Sequence, residues 1–391
     1  MIKPVHPFPA RMAPELALKA LGALKTGAVV LDPMTGSGTV LRQAVEFGHT
    51  AFGFDVDPLA VLMSNVWSSN VNARDARIEL WDIIERVKVT SEEQVDLPWQ
   101  ENDDETIKFI EFWFASSQRA ALRKLAYILH NTIDIPQSIL NVFKLALSRI
   151  IVTKEQAASL ARDTSHSRPH RVALENQFDV LAGFERSALQ IIGRLSDNKF
   201  SGSAFAGLGD ARVLKEVEDG SVDAIVTSPP YLNAIDYMRG HKLALVWLGY
   251  NVKDLRAIRT ESIGAEKGLS GTKDEDKYKI IMKSMGDLDV LPARSRAMIE
   301  RYTHDMCSAM SESKRVLTRG GLATYVVGNS CLKGVYIKNS EAVRIAGETV
   351  GLTLTDEYER EIPNSSRYLP VTGHQLAKRM RTETILCFKA A

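Results

Sequence analysis

The sequence predicts an α/β protein built on a parallel sheet, with a mainly helical segment inserted into it. Three observations lead there. Near the N-terminus, short apolar runs ending in an acid alternate with stretches of helical spacing. The same strand pattern resumes after about residue 200. The residues between are poor in glycine and helical in period. Alternation of strand and helix is the signature of βαβ units and parallel pairing.

In chain order, residues 28–32 (AVVLD) read as a strand, Gly36-Ser37-Gly38 as a loop, and 39–45 as a helix. Residues 50–55 (TAFGFD) form a second strand, and Pro58 opens a further helix where its missing N–H is tolerated. Residues 121–129 and 142–147 carry apolar side chains at helical spacing. An acidic stretch over 92–105 reads as a solvated loop. Strands are expected again at 203–206, 223–228, 321–327, 352–354 and 384–388. The polar residues 250–295, with Gly268, Gly271 and Gly286, read as a long loop or mobile element. The expected division is therefore 1–70 with 200–391 as one domain and 71–199 as the insertion, a chain of 391 residues being long enough for two.

Composition narrows the function classes. Hydrophobic residues make up 45% and charged residues 25%, as in ordinary globular chains. Lys and Arg number 49 against 48 Asp and Glu, so no global basic field announces a nucleic-acid partner, and any such surface must be local. Cys307, Cys331 and Cys387 stand far apart, without the spacing of a zinc site, which points to a reducing cytoplasmic compartment and no metal. No apolar run reaches the roughly 18 residues of a membrane span. The N-terminal residues have no apolar core of a signal peptide and read as mature protein.

Two segments carry chemistry. The first is Asp32-Pro33-Met34-Thr35-Gly36-Ser37-Gly38-Thr39, between a strand and a helix. Small residues there let backbone approach a ligand closely. The loop lacks the GK[ST] ending of a P-loop and the GxGxxG spacing of a dinucleotide site. Asp55 ends the second strand, where an acid accepts hydrogen bonds from ribose hydroxyls. A nucleoside site without a pyrophosphate requirement fits; a ligand-free tight turn is the alternative. The second segment is Ser228-Pro229-Pro230-Tyr231, directly after a strand. Two prolines end the ladder and fix a rigid turn at the carboxyl edge of the sheet. Its hydroxyl and carbonyl groups can accept from an exocyclic amine, and Tyr231 can stack on a planar ring.

These segments resemble motif I (DPFxGSGT) and motif IV ((D/N/S)PP(Y/F/W)) of the DNA amino-methyltransferases. That family moves a methyl group from S-adenosyl-L-methionine to the exocyclic amine of cytosine or adenine. The resemblance covers about 1–70 and 200–391. It implies a Rossmann-like seven-stranded methyltransferase sheet whose last strand is antiparallel. It implies cofactor contacts from Asp32, Pro33, Met34, Gly36, Ser37, Gly38, Thr39 and Asp55. Phe8 and Pro9 occupy the place of motif X at the methionine end, and Asp210 that of the acid at the adenine. Met34-Thr35 depart from the usual Phe and small residue. Ser228, Pro229, Pro230 and Tyr231 become the catalytic turn, with serine leaning towards cytosine N4 over adenine N6. No cysteine follows a proline, which disfavours carbon-5 chemistry.

A base in a duplex must be flipped out to reach such a turn, so double-stranded DNA is the expected partner. Arg162, Arg168 and Arg171 in the insertion, and Arg239, His241 and Lys242 after the turn, are the candidate DNA contacts. Arg294, Arg296 and Arg301, and Lys378, Arg379 and Arg381, are further basic clusters. A cognate restriction endonuclease is a possible companion. RNA methylation and a catalytically inactive binding subunit are the competing functions. The recognition sequence and oligomeric state are not written in the sequence.

Overall fold

A computed structural model describes residues 4–8, 12–162, 169–232, 236–264, 275–362 and 382–391. The chain begins α1 (Pro14–Gly22), β1 (Val29–Asp32), α2 (Thr39–Glu46), β2 (Thr50–Asp55) and α3 (Pro58–Trp67). Five helices follow: α4 (Ala73–Val89), α5 (Pro98–Glu101), α6 (Asp104–Trp113), α7 (Ser116–Asn131) and α8 (Gln137–Arg149). The short strands β3 (Ala161–Arg162) and β4 (His170–Arg171) precede α9 (Val180–Leu195). Next come β5 (Ser203–Leu208), β6 (Val222–Thr227), α10 (Met238–Leu245), α11 (Val252–Glu261), α12 (Glu275–Ser284) and α13 (Ala293–Val316). The chain closes with β7 (Leu317–Gly328), β8 (Ser330–Leu332), β9 (Val335–Ile337), α14 (Asn339–Thr349), β10 (Leu352–Glu361) and β11 (Thr382–Ala390).

Seven strands form one sheet in the order β10-β11-β7-β6-β1-β2-β5. β5, β2, β1, β6 and β7 run parallel to their neighbours. β11 is antiparallel to both β7 and β10, so the last strand is reversed as expected. The chain moves from β1 outward through β2 to β5, then crosses back to β6 on the other side of β1. The β1/β6 boundary is therefore a topological switch point, where open α/β sheets bind ligands beyond the carboxyl ends of their strands.

The residues pack as two compact units. One comprises 1–9, 57–200 and 235–259; the other comprises 10–56, 201–234 and 260–391. The boundaries differ from the expected 1–70/71–199/200–391 division: α3 and residues 235–259 pack with the helical segment. The core of that first unit gathers Phe143 from α8, Phe184 from α9, Phe114 just after α6 and Trp247 just after α10, all nearly inaccessible. In the sheet unit, α2 packs on β1, β2 and β5, while α14 packs on β7, β10 and β11. Tyr302, Met306, Tyr325 and Phe388 fill its core.

Two expectations are corrected. Residues 250–295 are not a long loop: α11, α12 and the start of α13 occupy their described part. The acidic stretch is not all loop either, since Asp104 and Glu105 open α6, where acids favour the positive helix end. Glu101 there is salt-bridged to Arg123 at 2.6 Å.

Candidate functional site

The glycine loop is built by β1 and β2 together. After β1 the chain needs two left-handed residues, and Gly36 (φ 49°) and Gly38 (φ 82°) supply them. Gly36 N–H donates to the Asp55 carboxylate at 2.9 Å, and Thr35 N–H to the Phe54 carbonyl at 2.9 Å. The loop is thus stitched to the end of the neighbouring strand. The approach is close: a Cβ on Gly53 would lie 2.8 Å from both Leu41 and the Thr35 hydroxyl. Gly38 caps α2 without a side chain to offer its first N–H groups. The Thr39 hydroxyl beside them is buried and has no hydrogen-bond partner among the described residues.

The Ser-Pro-Pro-Tyr turn joins this loop through a bond that spans the switch point. β6 ends at Thr227, whose buried hydroxyl donates to Asp32 Oδ1 at 2.7 Å. The same oxygen accepts from Met34 N–H at 3.2 Å. Burial pushes the Asp32 carboxyl up to about 7, against the pull of those two bonds, and the nearby Asp55 charge adds to the rise. Ser228, Pro229, Pro230 and Tyr231 follow. The Tyr231 hydroxyl donates to Glu383 Oε1 at 3.2 Å, and the Leu232 carbonyl accepts from the Ser330 hydroxyl at 2.7 Å.

Asp32, Asp55 and Asp210 stand at or just past the carboxyl ends of β1, β2 and β5, three adjacent strands. Their settings differ. Asp55 holds the loop. Asp210 accepts from Arg212 through its backbone N–H at 2.9 Å and its guanidinium at 2.6 Å. Burial alone would raise the Asp210 carboxyl, but the Arg212 bonds outweigh it and hold the group below its ordinary value. Arg212 also bonds Asp305 on α13 at 2.7 Å and the Glu261 carbonyl at 2.6 Å.

Phe8, Arg162, Arg171, Arg239, His241 and Lys242 fall in the other unit. Phe8 stacks on Tyr237, ring centres 4.7 Å apart, and lies 6.0 Å from His241. His241 is a correction: it is buried, with Nδ1 2.5 Å from Asp57 Oδ2, and offers no cation to a phosphate at the surface. Asp57 also caps α3 by accepting from Leu59 N–H at 2.9 Å. Burial would raise the Asp57 carboxyl; His241 and the backbone donors of Leu59 and Ala60 reverse this and lower it. Lys242 is half-buried over the Phe109 ring, its amine pushed down by burial. Arg239 is exposed and shares Asp236 with Arg259. Arg162 and Arg171 are both exposed and meet on the β3–β4 ladder, where Arg162 faces His170 and Arg171 faces Ala161. The Arg171 guanidinium also sits 4.7 Å over the Phe112 ring. Pro9, Arg168, Lys378, Arg379 and Arg381 lie outside the described residues.

Sequence reasoning missed Thr227, Arg212, Asp305 and Glu383. Thr227 was within reach, since it immediately precedes the serine of the turn. Glu383 had no local signal, because its partner is 152 residues away. Among the described residues no group of three His, Cys, Asp or Glu is placed to hold a metal ion, and no helix is long and apolar enough to cross a membrane.

No family model matches the chain. It is 22% identical over 363 residues to the Type II methyltransferase M.AvaI of Nostoc sp., covering 83% of this chain and 73% of that protein. It is 22% identical over 394 residues to the Type II methyltransferase M.BsoBI of Geobacillus stearothermophilus, covering 91% and 76%. Among solved structures, a TehB-like SAM-dependent methyltransferase from Corynebacterium glutamicum aligns over 97% of this chain and 89% of its own, at 10% identity and a TM-score of 0.32.

Proposed function

We propose that the chain is an S-adenosyl-L-methionine-dependent DNA methyltransferase acting on an exocyclic amine, and that its product is N4-methylcytosine. One observation carries this reading: the glycine loop and the Ser-Pro-Pro-Tyr turn flank the switch point and are joined by the Thr227–Asp32 bond. The similarity to Type II methyltransferases over most of the chain supports it, and favours a role beside a cognate restriction endonuclease.

The residues present fit the cofactor. The uncapped start of α2 and the partnerless Thr39 hydroxyl suit its carboxylate. Asp55 suits the ribose, Asp210 the adenine side, and Met34 offers apolar contact. Phe8 and Pro9 are assigned to its methionine end. When bound, S-adenosylmethionine supplies the electrophilic methyl group.

The protein's own part is to prepare the amine. An aromatic amine is a poor nucleophile because its lone pair is delocalised into the ring. Ser228 Oγ and the Pro229 carbonyl accept its two hydrogens and favour a pyramidal nitrogen with a directed lone pair. Tyr231 stacks on the flipped base, offsetting part of the few kcal/mol that flipping costs. No covalent enzyme intermediate is needed. Residues 71–199 are assigned to target recognition, with Arg162, Arg168 and Arg171 on the DNA backbone and Arg239 as a further contact.

The test is incubation of the protein with methyl-labelled cofactor and duplex DNA, followed by nucleoside mass spectrometry. N4-methylcytosine is expected. N6-methyladenine as sole product overturns the base assignment alone; label in RNA and none in DNA overturns the substrate.

A further inference from the structure

The reversed strand β11 does more than close the sheet. Because β11 runs against β7, its first residues lie beside the last residues of β7, with Glu383 paired to Gly328 and Thr384 to Val327. β7 in turn is in register with β6, Thr227 facing Tyr325. The antiparallel direction therefore delivers the start of β11 to the edge where β6 releases the catalytic turn. A parallel last strand would have ended its chain there and placed its first residues at the opposite edge.

Glu383 uses that position. Its Oε1 accepts from the Tyr231 hydroxyl at 3.2 Å, while its Oε2 lies 3.5 Å from Arg360 Nε on β10, the residue directly opposite it in the ladder. Arg360 also bonds Glu15 on α1 at 2.9 Å. The Glu383 side chain is only 13% exposed, and the Arg360 side chain 19%. Burial raises the Glu383 carboxyl, and Arg360 and Tyr231 pull it back. A shielded carboxylate with one oxygen on a cation and the other on a phenol is fixed in place, and so is the phenol.

We infer that Glu383 is a positioning residue for the acceptor base, fixing through the Tyr231 hydroxyl the direction in which that ring projects, with Arg360 and Glu15 holding Glu383 from behind. This rests on the proposed role of Tyr231 in holding a flipped base.

A double-mutant cycle with Tyr231→Phe and Glu383→Ala tests it, with Glu383→Gln as the conservative variant. Phe keeps the ring and removes only the hydroxyl. Each single variant is expected to raise KM for duplex DNA roughly three- to tenfold with cofactor affinity unchanged. The double variant should be no worse than either single one, and Gln, which keeps an acceptor, should recover most of the loss. NMR of tyrosine labelled at Cζ reads the contact without turnover: Glu383→Ala should shift the Tyr231 Cζ signal, which responds to what the hydroxyl bonds to. Additive losses in the cycle, or an unchanged Cζ signal, overturn the inference while the function stands. A wild-type protein that transfers no methyl to DNA overturns the function and this role together, even where the Cζ signal responds.

Discussion

Asp32 shows how one residue binds the two halves of the site. It accepts from Thr227 and Met34 while being almost fully buried. Its carboxyl is raised to about 7 in the fold from an ordinary value of 3.8. The folded state therefore binds the proton more tightly than the unfolded chain. The stability this group contributes is full below pH 4 and is lost as pH rises through 7, on the order of 4 kcal/mol in total. Asp32→Asn keeps an acceptor for both donors and removes the charge. Denaturant unfolding across pH 4–8 is expected to show the variant gaining on wild type by that amount; two parallel stability curves would refute the assignment. The Asp55 carboxylate holds Gly36, and the ribose contact proposed for it falls on the same group. Asp55→Ala should weaken S-adenosylmethionine binding by roughly 1.5–3 kcal/mol, the worth of hydrogen bonds to a charged group. Calorimetry finding unchanged affinity in the folded variant would remove Asp55 from the cofactor site. The place of Asp55 at the end of β2 was legible, because an apolar run leads up to it. Thr227 stood beside the turn in the sequence, but its bond to Asp32, 195 residues away, could be seen only in the fold.

At the scale of elements, the strands were easier to read than the helices of the second half. β2 matches its expected bounds, and β1 and β6 lie within a residue of theirs, because buried strands write themselves as unbroken apolar runs. α11 carries Val252, Leu255 and Ile258 at helical spacing, but five of its ten residues are charged, and its short apolar stripe does not stand out from a polar stretch. The reversal of β11 was expected from the resemblance, and two closely spaced final strands allowed it. The close packing of β2 on the loop was hidden, since it depends on what surrounds Gly53. Gly53→Ala would press a methyl group into Leu41, which is fully buried in α2, and into Thr35. Overpacking of this kind costs ~1–3 kcal/mol. The variant is expected to unfold at lower denaturant concentration and to bind cofactor more weakly. A variant with wild-type midpoint and affinity would show that the loop has room to move.

The whole molecule carries 49 basic and 48 acidic residues, so its long-range field is weak, and the DNA binding proposed for it has to rest on local cations. Of the candidates read from the sequence, the structure withdraws His241 into a buried pair and half-buries Lys242 on an aromatic ring. Arg162 and Arg171 remain exposed on one short ladder, projecting from opposite faces of it, since Arg162 pairs with His170 and Arg171 with Ala161. Each cation that neutralises a phosphate adds about 0.9 to the slope of log affinity against log salt. In a strongly basic protein two such contacts would be lost among many. In a near-neutral one they form a large share of the total. Arg162→Ala with Arg171→Ala is therefore expected to lower duplex DNA affinity and to flatten that slope by roughly 1.8, with S-adenosylmethionine affinity unchanged. Fluorescence anisotropy of a labelled duplex over 50–300 mM salt checks it. A double variant that binds more weakly on an unaltered slope would mean that the two arginines support the ladder and leave the phosphates to other residues.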